Sequence, residues 1–411
     1  MIDFSLSKKQ KELRDGIRQL AKYAIRPVSL EWDQEGAIPE PFLRNFMGLA
    51  KGLRSDDIEY TEDAHLPRET KERDPSKPSE GQRTAAIAAE ELAWGDPALL
   101  LCLPGPGLGG PPVRATGTAE QKKRFLGIFR DMASGGPLRY GAYGLTEPAA
   151  GSDVAGIRST CRKDGSHWVL NGRKCYITNG ARADWTVIFA TTDPALGRAG
   201  HRAFVVEKGT PGFEVGKIED KMGLRASETA ELVLEDCRVP DENLLGGEAA
   251  YVTKEGFMTA MKTFDNTRPL VAAMALGIGR AAHEYTVDFV KDAYMLSRPL
   301  PRYAAIAERL ARMGRRLDAA RMLVWRSCWM ADHGIPNAKE ASMAKAAAGQ
   351  AAISACIESI ELCGAPGAVR GQHALLEKWF RDIKVYDIFE GTGQIQRIVI
   401  SKRILSNLKT F

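Results

Sequence analysis

HWVLNG (167–172) is followed closely by five further runs: RKCYITNG (173–180), DWTVIFATT (184–192), HRAFVVEK (201–208), FEVGKI (213–218) and AELVLEDCRVP (230–240). Each is short, rich in β-branched and aromatic residues, and bounded by Asn-Gly, Pro-Gly or Asp-Pro pairs that favour turns. This pattern predicts an antiparallel β domain between Leu138 and Glu248. On both sides of it the apolar period becomes helical. Toward the N-terminus the helical positions are Leu13, Ile17, Leu20, Ala21, Tyr23 and Ala24, then Phe42, Phe46, Leu49 and Leu53, then Ala85 to Trp94. Between them His65–Gln82 is charged, proline-bearing and aperiodic, and reads as an exposed loop. Toward the C-terminus, Gly256–Asp292, Tyr303–Ala331, Ala338–Cys363 and Gln372–Ser406 read as helices. The predicted fold is therefore α+β and multidomain. It comprises an N-terminal helical domain (1–137), a central antiparallel β-barrel or sandwich domain (138–246) and a C-terminal four-helix-bundle domain (247–411).

A chain of 411 residues, 44% hydrophobic and 27% charged, lies with ordinary folded soluble proteins and can bury a core without disulfides or structural metal. No apolar run approaches the ~18–20 residues that cross a bilayer. The opening MIDFSLSKKQKELRDG (1–16) carries charges where a secretion signal needs an apolar centre. A cytoplasmic protein with no membrane partner is expected. The 57 basic and 52 acidic residues are interspersed, which disfavours a nucleic-acid partner. Seven cysteines without a C-x-x-C pair read as reduced, buried thiols, and six scattered histidines offer no zinc pattern, so no metal is expected.

GPGLGG (105–110) formally matches the glycine fingerprint of dinucleotide-binding folds. That fingerprint needs a helix to begin within it and β-α-β alternation around it. Pro111 and Pro112 follow at once, and no such alternation surrounds the match. The expected structure is instead a glycine- and proline-built bend that lets a helix pass close to a neighbouring element.

Chemistry concentrates in three segments. YGLTEPAAGSD (143–153) is followed by KCYITNG (174–180). MGLRASET (222–229) is followed by FDNTRP (264–269). YDIFEGTGQIQR (386–397) lies near the C-terminus. In this order on an α–β–α frame they resemble the acyl-CoA dehydrogenase family of flavoproteins, specifically short- and medium-chain-like members with a glutamate in the C-terminal E-G-T motif. The resemblance covers essentially the whole chain.

It implies FAD-dependent α,β-dehydrogenation of an acyl-CoA to a trans-2-enoyl-CoA, with electrons passed to an electron-transfer flavoprotein. A hydride-accepting ring needs polar donors along one edge and an apolar or aromatic wall on one face. By the resemblance Thr146 and Thr178 bond the flavin ring, Tyr143 and Leu145 line its edge, and Tyr176 covers a face where many members carry tryptophan. Gly151, Ser152, Thr392 and Gln394 complete the implied cofactor set.

Glu390 is the implied catalytic base. It stands before Gly391-Thr392, a break in helical propensity, and beside apolar Ile388 and Phe389. Removing a proton next to a thioester requires a carboxylate with a raised pKa and donors on the thioester oxygen. Some relatives carry the base on the D-x-T-R-P helix, but Thr267 stands there and cannot accept a proton. Asp265, Arg268, Ser152 and Gly391 become substrate contacts, with Pro269 expected to interrupt the helix. Leu99, Leu100, Leu101 and Leu103 become the wall for the acyl tail, where the absence of an arginine disfavours a dicarboxylic substrate.

The chain also departs from the family. The Arg-x-x-Phe-Gly segment that reaches the adenosine half of a neighbouring subunit's FAD is absent at 292–300, with Arg298 a candidate substitute. Ala304 stands where a glutamine is expected, and Glu361 occupies another glutamine position. A homotetramer or dimer is expected, with a related second subunit as the alternative supplier of those groups. The rival functions are a flavin oxidase or monooxygenase on this fold and a non-catalytic DNA-associated relative.

Overall fold

The computed structural model describes residues 3–52, 79–252, 255–293 and 301–406. Most of the expected loop at 65–82, and residues 294–300, lie outside them. The N-terminal helices are α1 (Lys8–Leu20), α2 (Ser29–Glu35), α3 (Glu40–Gly52), α4 (Gly81–Gly95), α5 (Leu99–Cys102), α6 (Gly110–Thr116) and α7 (Ala119–Gly127). Local chemistry sets several boundaries. Ser7 with Gln10 and Thr118 with Gln121 form reciprocal caps on α1 and α7, satisfying backbone donors that a helix start leaves free. The strands are β1 (Gly141–Gly144), β2 (Thr160–Asp164), β3 (His167–Thr178), β4 (Trp185–Thr191), β5 (His201–Glu207), β6 (Phe213–Ile218) and β7 (Thr229–Pro240). The chain then returns to helix in α8 (Ala249–Val252), α9 (Glu255–Ala293), α10 (Pro301–Asp332), α11 (Ala338–Cys363), α12 (Ala374–Ile388) and α13 (Gly393–Ser406).

The helix–sheet–helix order is as expected, but the sheet is mixed rather than purely antiparallel. Its strand order is β1-β4-β2-β3-β7-β6, with β5 on β4. β1 runs parallel to β4, pairing Gly141 with Trp185 through Gly144 with Ile188, and β2 also meets β4 in parallel. HWVLNG and RKCYITNG form one continuous strand, β3. Asn171-Gly172 is a register shift against β7 rather than a turn. An Asn-Gly pair suits a bulge as well as a hairpin, and β7 is long enough to pair across both runs.

Proline behaves differently from expectation at two places. Pro111 and Pro112 open α6, where the first-turn N–H groups have no helical partner and proline costs nothing. Pro269 is buried inside α9, which continues through it because packing outweighs the loss of one ladder bond. The 105–110 segment is the expected close approach. A Cβ on Gly109 would lie 2.4 Å from the Ala142 carbonyl oxygen and 2.6 Å from the Trp185 ring. Gly109→Ala should therefore destabilise the protein by about 1–3 kcal/mol, measured as a lowered denaturation midpoint, because the obstacle is backbone and cannot swing aside.

One buried cluster joins the two helical segments. It runs from Leu13, Ile17 and Trp32 through Ala93 and Leu99 to Leu276, Leu317, Ala348 and Trp379, and includes Leu224 and Ala226 from the loop before β7. α4 packs on α9, which packs on α11. Among the described residues no helix is long and apolar enough to cross a membrane, and no cluster of His, Cys, Asp and Glu is placed to hold a metal. All seven cysteines are buried and unbridged.

Candidate active site

The expected last helix is two, α12 and α13, separated by the segment that carries Glu390. Phe389 is extended, Glu390 has φ 57° and Gly391 φ 91°. A non-glycine residue in the left-handed region costs about 1 kcal/mol or more and needs support. Gln396 supplies it. Buried completely, its Nε2 donates to the carbonyls of Glu390 (3.2 Å) and Gly391 (3.0 Å). A Cβ on Gly391 would sit 2.5 Å from that nitrogen, so glycine is required there for space as well as for φ. Thr392 Oγ1 accepts the Ile395 N–H (3.2 Å) and caps α13. Gln394 is exposed; Gln396, not Gln394, is the glutamine that reaches back to the loop.

The carboxylate turns toward α9 and α11. Thr267 Oγ1 donates to Glu390 Oε2 (3.3 Å). Burial raises the Glu390 pKa above the ordinary carboxylate value, and it stays raised although Thr267, Arg268 and Lys345 pull it down. Tyr143 on β1 completes the surround: burial first, and then the Glu390 charge, push its phenol pKa upward. Its ring lies 5.2 Å from that of Phe189. The Asp265 side chain lies outside the described residues.

On the β side, the Cys175 N–H donates to the Thr146 carbonyl (2.9 Å), which lays the segment after β1 along β3. Thr146 is thereby brought beside Tyr176 and toward Thr178, and both threonines are half-buried. Tyr176 has φ 59° at a register shift and leaves its ring 65% exposed. An exposed aromatic ring on the same stretch of backbone as two half-buried threonines fits the flat, hydrogen-bonding ring of a flavin. Leu145 behaves differently from expectation: its side chain is buried with Phe189 and Val187, so only its backbone can face a ligand. Gly151 and Ser152 are exposed just beyond the Glu147–Ala150 bridge.

The leucine wall is divided. Leu99 lies wholly in the core, while Leu100, Leu101 and Leu103 stand half-buried at its edge. The Leu101 carbonyl accepts from Asn179 Nδ2 (3.0 Å), joining this wall to the end of β3. At the adenosine end, Glu361 is not a bare acid, because it pairs with Arg309.

Three buried lysines have no role that the sequence alone assigns. Lys174 Nζ lies 2.6 Å from Glu147 Oε1, and Glu147 also accepts the Arg158 (2.6 Å) and Ser159 (3.0 Å) N–H groups, bracing the threonine segment from behind. Lys378 bridges Asp96 (3.0 Å) and Asp382 (2.7 Å). Asp96 also accepts the Ser29 hydroxyl and the Ala98 N–H at the start of α5, and Asp382 accepts the Leu224 N–H (2.6 Å). Lys345 Nζ donates to the Asp387 carbonyl (3.1 Å). Its signal in the sequence is a lone lysine inside ASMAKAAAGQAA (341–352), a run of small residues with no polar face.

Residues 142–237 match the family described as "Acyl-CoA dehydrogenase, middle domain", and residues 254–405 match "Acyl-CoA dehydrogenase, C-terminal domain". The chain is 42% identical over 298 residues to an acyl-CoA dehydrogenase of Bacillus subtilis, covering 72% of this chain and 76% of that one. It is 36% identical over 407 residues to the acryloyl-CoA reductase (NADH) of Anaerotignum propionicum, covering 98% and 96%. Among solved structures, butyryl-CoA dehydrogenase from Megasphaera elsdenii superimposes with a TM-score of 0.82 at 32% identity, covering 98% of this chain and all of that one.

Proposed function

Since this chain belongs to the acyl-CoA dehydrogenase family and is an acyl-CoA-dehydrogenating flavoprotein, we propose that Glu390 is its base and that Tyr143, Thr146, Tyr176 and Thr178 hold the ring of FAD. The observation that carries this reading is the Glu390 carboxylate, fixed in a strained loop between two helices, hydrogen-bonded by Thr267 and raised in pKa by burial. Burial makes it a stronger base than a solvated carboxylate, and Gln396 fixes the direction from which it approaches.

Bound FAD supplies the acceptor for the β-hydrogen and its electron pair. The protein's part is the other hydrogen: Glu390 takes the α-proton, the carbon electron pair left behind becomes the new α,β double bond, and a trans-2-enoyl-CoA leaves. Leu100, Leu101 and Leu103 present an uncharged wall to the acyl tail, which suits a monocarboxylic substrate. Arg268 and Ser152 are the polar contacts for the CoA end, and the Gly391 backbone borders the thioester. The electrons pass on to an electron-transfer flavoprotein; an electron-transferring flavoprotein from Acidaminococcus fermentans is named with one of the structures this fold matches.

A homo-oligomer is the proposed assembly. The Arg309–Glu361 pair supports it, because the acid near the expected pyrophosphate is already neutralised within the chain. The test is direct. The purified protein should be yellow with one FAD per subunit, and monocarboxylic acyl-CoAs should bleach it without oxygen. A colourless homo-oligomer that gains flavin only with a second chain would overturn the assembly. A flavin reduced by no acyl-CoA would overturn the reaction, and rapid turnover with oxygen alone would favour an oxidase.

A further inference from the structure

Lys345 lies on α11 among the small buried residues Ala341, Ser342, Ala344, Ala348 and Gly349, and it is 2% exposed. A lysine is almost never buried to this degree without a paired carboxylate or a task. Its ammonium donates to a main-chain carbonyl, that of Asp387 in the last turn of α12, three residues before Glu390. A single neutral acceptor does not repay the desolvation of an ammonium.

The charged groups around it are few. α12 contributes Asp387, whose carboxylate is also engaged by exposed Lys384 (3.4 Å). The loop contributes Glu390, α9 contributes Arg268, and Arg397 of α13 faces Asp387 across Gly393. Burial first, with Arg268 in the same direction, lowers the Lys345 pKa to about 8 despite Asp387 and Glu390. Toward Glu390 it acts in the opposite sense to burial, lowering that pKa together with Arg268.

We propose that Lys345 is a positioning residue of the reaction: its ammonium ties the end of α12 through the Asp387 carbonyl and, beside Arg268, provides a positive charge that helps keep Glu390 ionised in its buried loop. This rests on Glu390 being the base. Burial among apolar groups and Tyr143 favours the protonated base; Thr267 and Arg268 oppose that, and the Lys345 charge adds to them. Once Glu390 has taken the substrate's α-proton, the ammonium keeps only Asp387 as a counter-charge, which favours return of the proton to solvent and resets the site.

Two neutral variants of the holoenzyme separate charge from hydrogen bond. Lys345→Gln keeps an N–H donor for the Asp387 carbonyl, while Lys345→Met does not. In both, the acid limb of the anaerobic bleaching rate should move to higher pH, with about tenfold slower bleaching on that limb and recovery at alkaline pH. The Glu390 carboxyl band, identified by infrared difference against Glu390→Gln, should titrate at correspondingly higher pH in substrate-free protein. A rate that falls equally at every pH, or a shift in Lys345→Met without one in Lys345→Gln, overturns the charge role. If neither variant folds, the wild-type carboxylate band decides: it should show a second small shift as Lys345 loses its proton, and a single-step titration overturns the proposal. A shifted band alongside wild-type bleaching in Glu390→Gln would instead sink Glu390 as the base.

Discussion

Glu390→Gln is expected to leave a folded, yellow protein that binds acyl-CoA but bleaches roughly a hundred- to ten-thousand-fold more slowly. The amide occupies almost the same volume and can still accept from Thr267, so geometry is preserved while proton acceptance is lost. The pH profile sharpens the expectation. In the wild type the rate climbs as pH rises through a Glu390 pKa that burial has lifted above the ordinary carboxylate value. That limb should vanish in the variant, leaving a flat, slow residue. Stopped-flow bleaching between pH 5 and 9 checks both statements. A wild-type rate, or a slow rate that keeps the original acid limb, would place the base elsewhere.

The second large effect concerns stability. Lys378→Met should destabilise the protein by about 3–5 kcal/mol at neutral pH, because it leaves Asp96 and Asp382 buried beside one another without their cation. Folding raises the Lys378 pKa. A lysine so raised contributes fully below its unfolded value and loses the contribution only as pH rises through the folded one, so at pH 7 the wild type has all of it. The deficit of the variant should shrink toward acid pH. Burial already raises the Asp382 pKa, and without Lys378 that carboxylate will take up its proton sooner. Denaturant unfolding of the holoenzyme at pH 7 and pH 5 measures this. A loss under 1 kcal/mol at pH 7, or one independent of pH, would mean that the three groups are not coupled. Because Asp96 starts α5 and Asp382 lies on α12, the variant should also loosen the leucine wall relative to Glu390.

Much of this architecture is legible in sequence where a single period governs. Ala338–Cys363 forms α11 with the boundaries its pattern predicts, and the strand-rich centre is unmistakable. Strand direction is not, because β1 meets β4 across some forty residues and nothing local records whether two edges run the same way. Asn171-Gly172 serves a turn and a bulge equally well, and only the partner strand chooses. Pro269 obeys packing over propensity. At the site, Glu390 and the threonines are visible as motif. Lys345 and Lys378 are not, and Lys174 stands in a motif without a role, since a lysine is read as surface until the structure shows it enclosed. The role of Gln396 is not legible either, because only the backbone geometry of the Glu390 loop calls for a donor from that position.

The union of both helical segments in one buried cluster has a consequence for how the chain is made. α4 is buried on nearly every side, with Glu90 and Glu91 meeting Arg280 of α9, and Glu90 also meeting Arg321 of α10. Those arginines are encoded well over a hundred residues later. At a synthesis speed of ~5–20 residues per second, α4 emerges from the ribosome roughly ten to thirty seconds before α9. During that interval the N-terminal helices have no finished core, while the intervening sheet can already pair its strands. The nascent chain therefore passes through a state in which a folded middle is flanked by a sticky, waiting N-terminal third. In that state Glu90 and Glu91, not yet paired with Arg280 and Arg321, keep α4 hydrated until its arginines arrive.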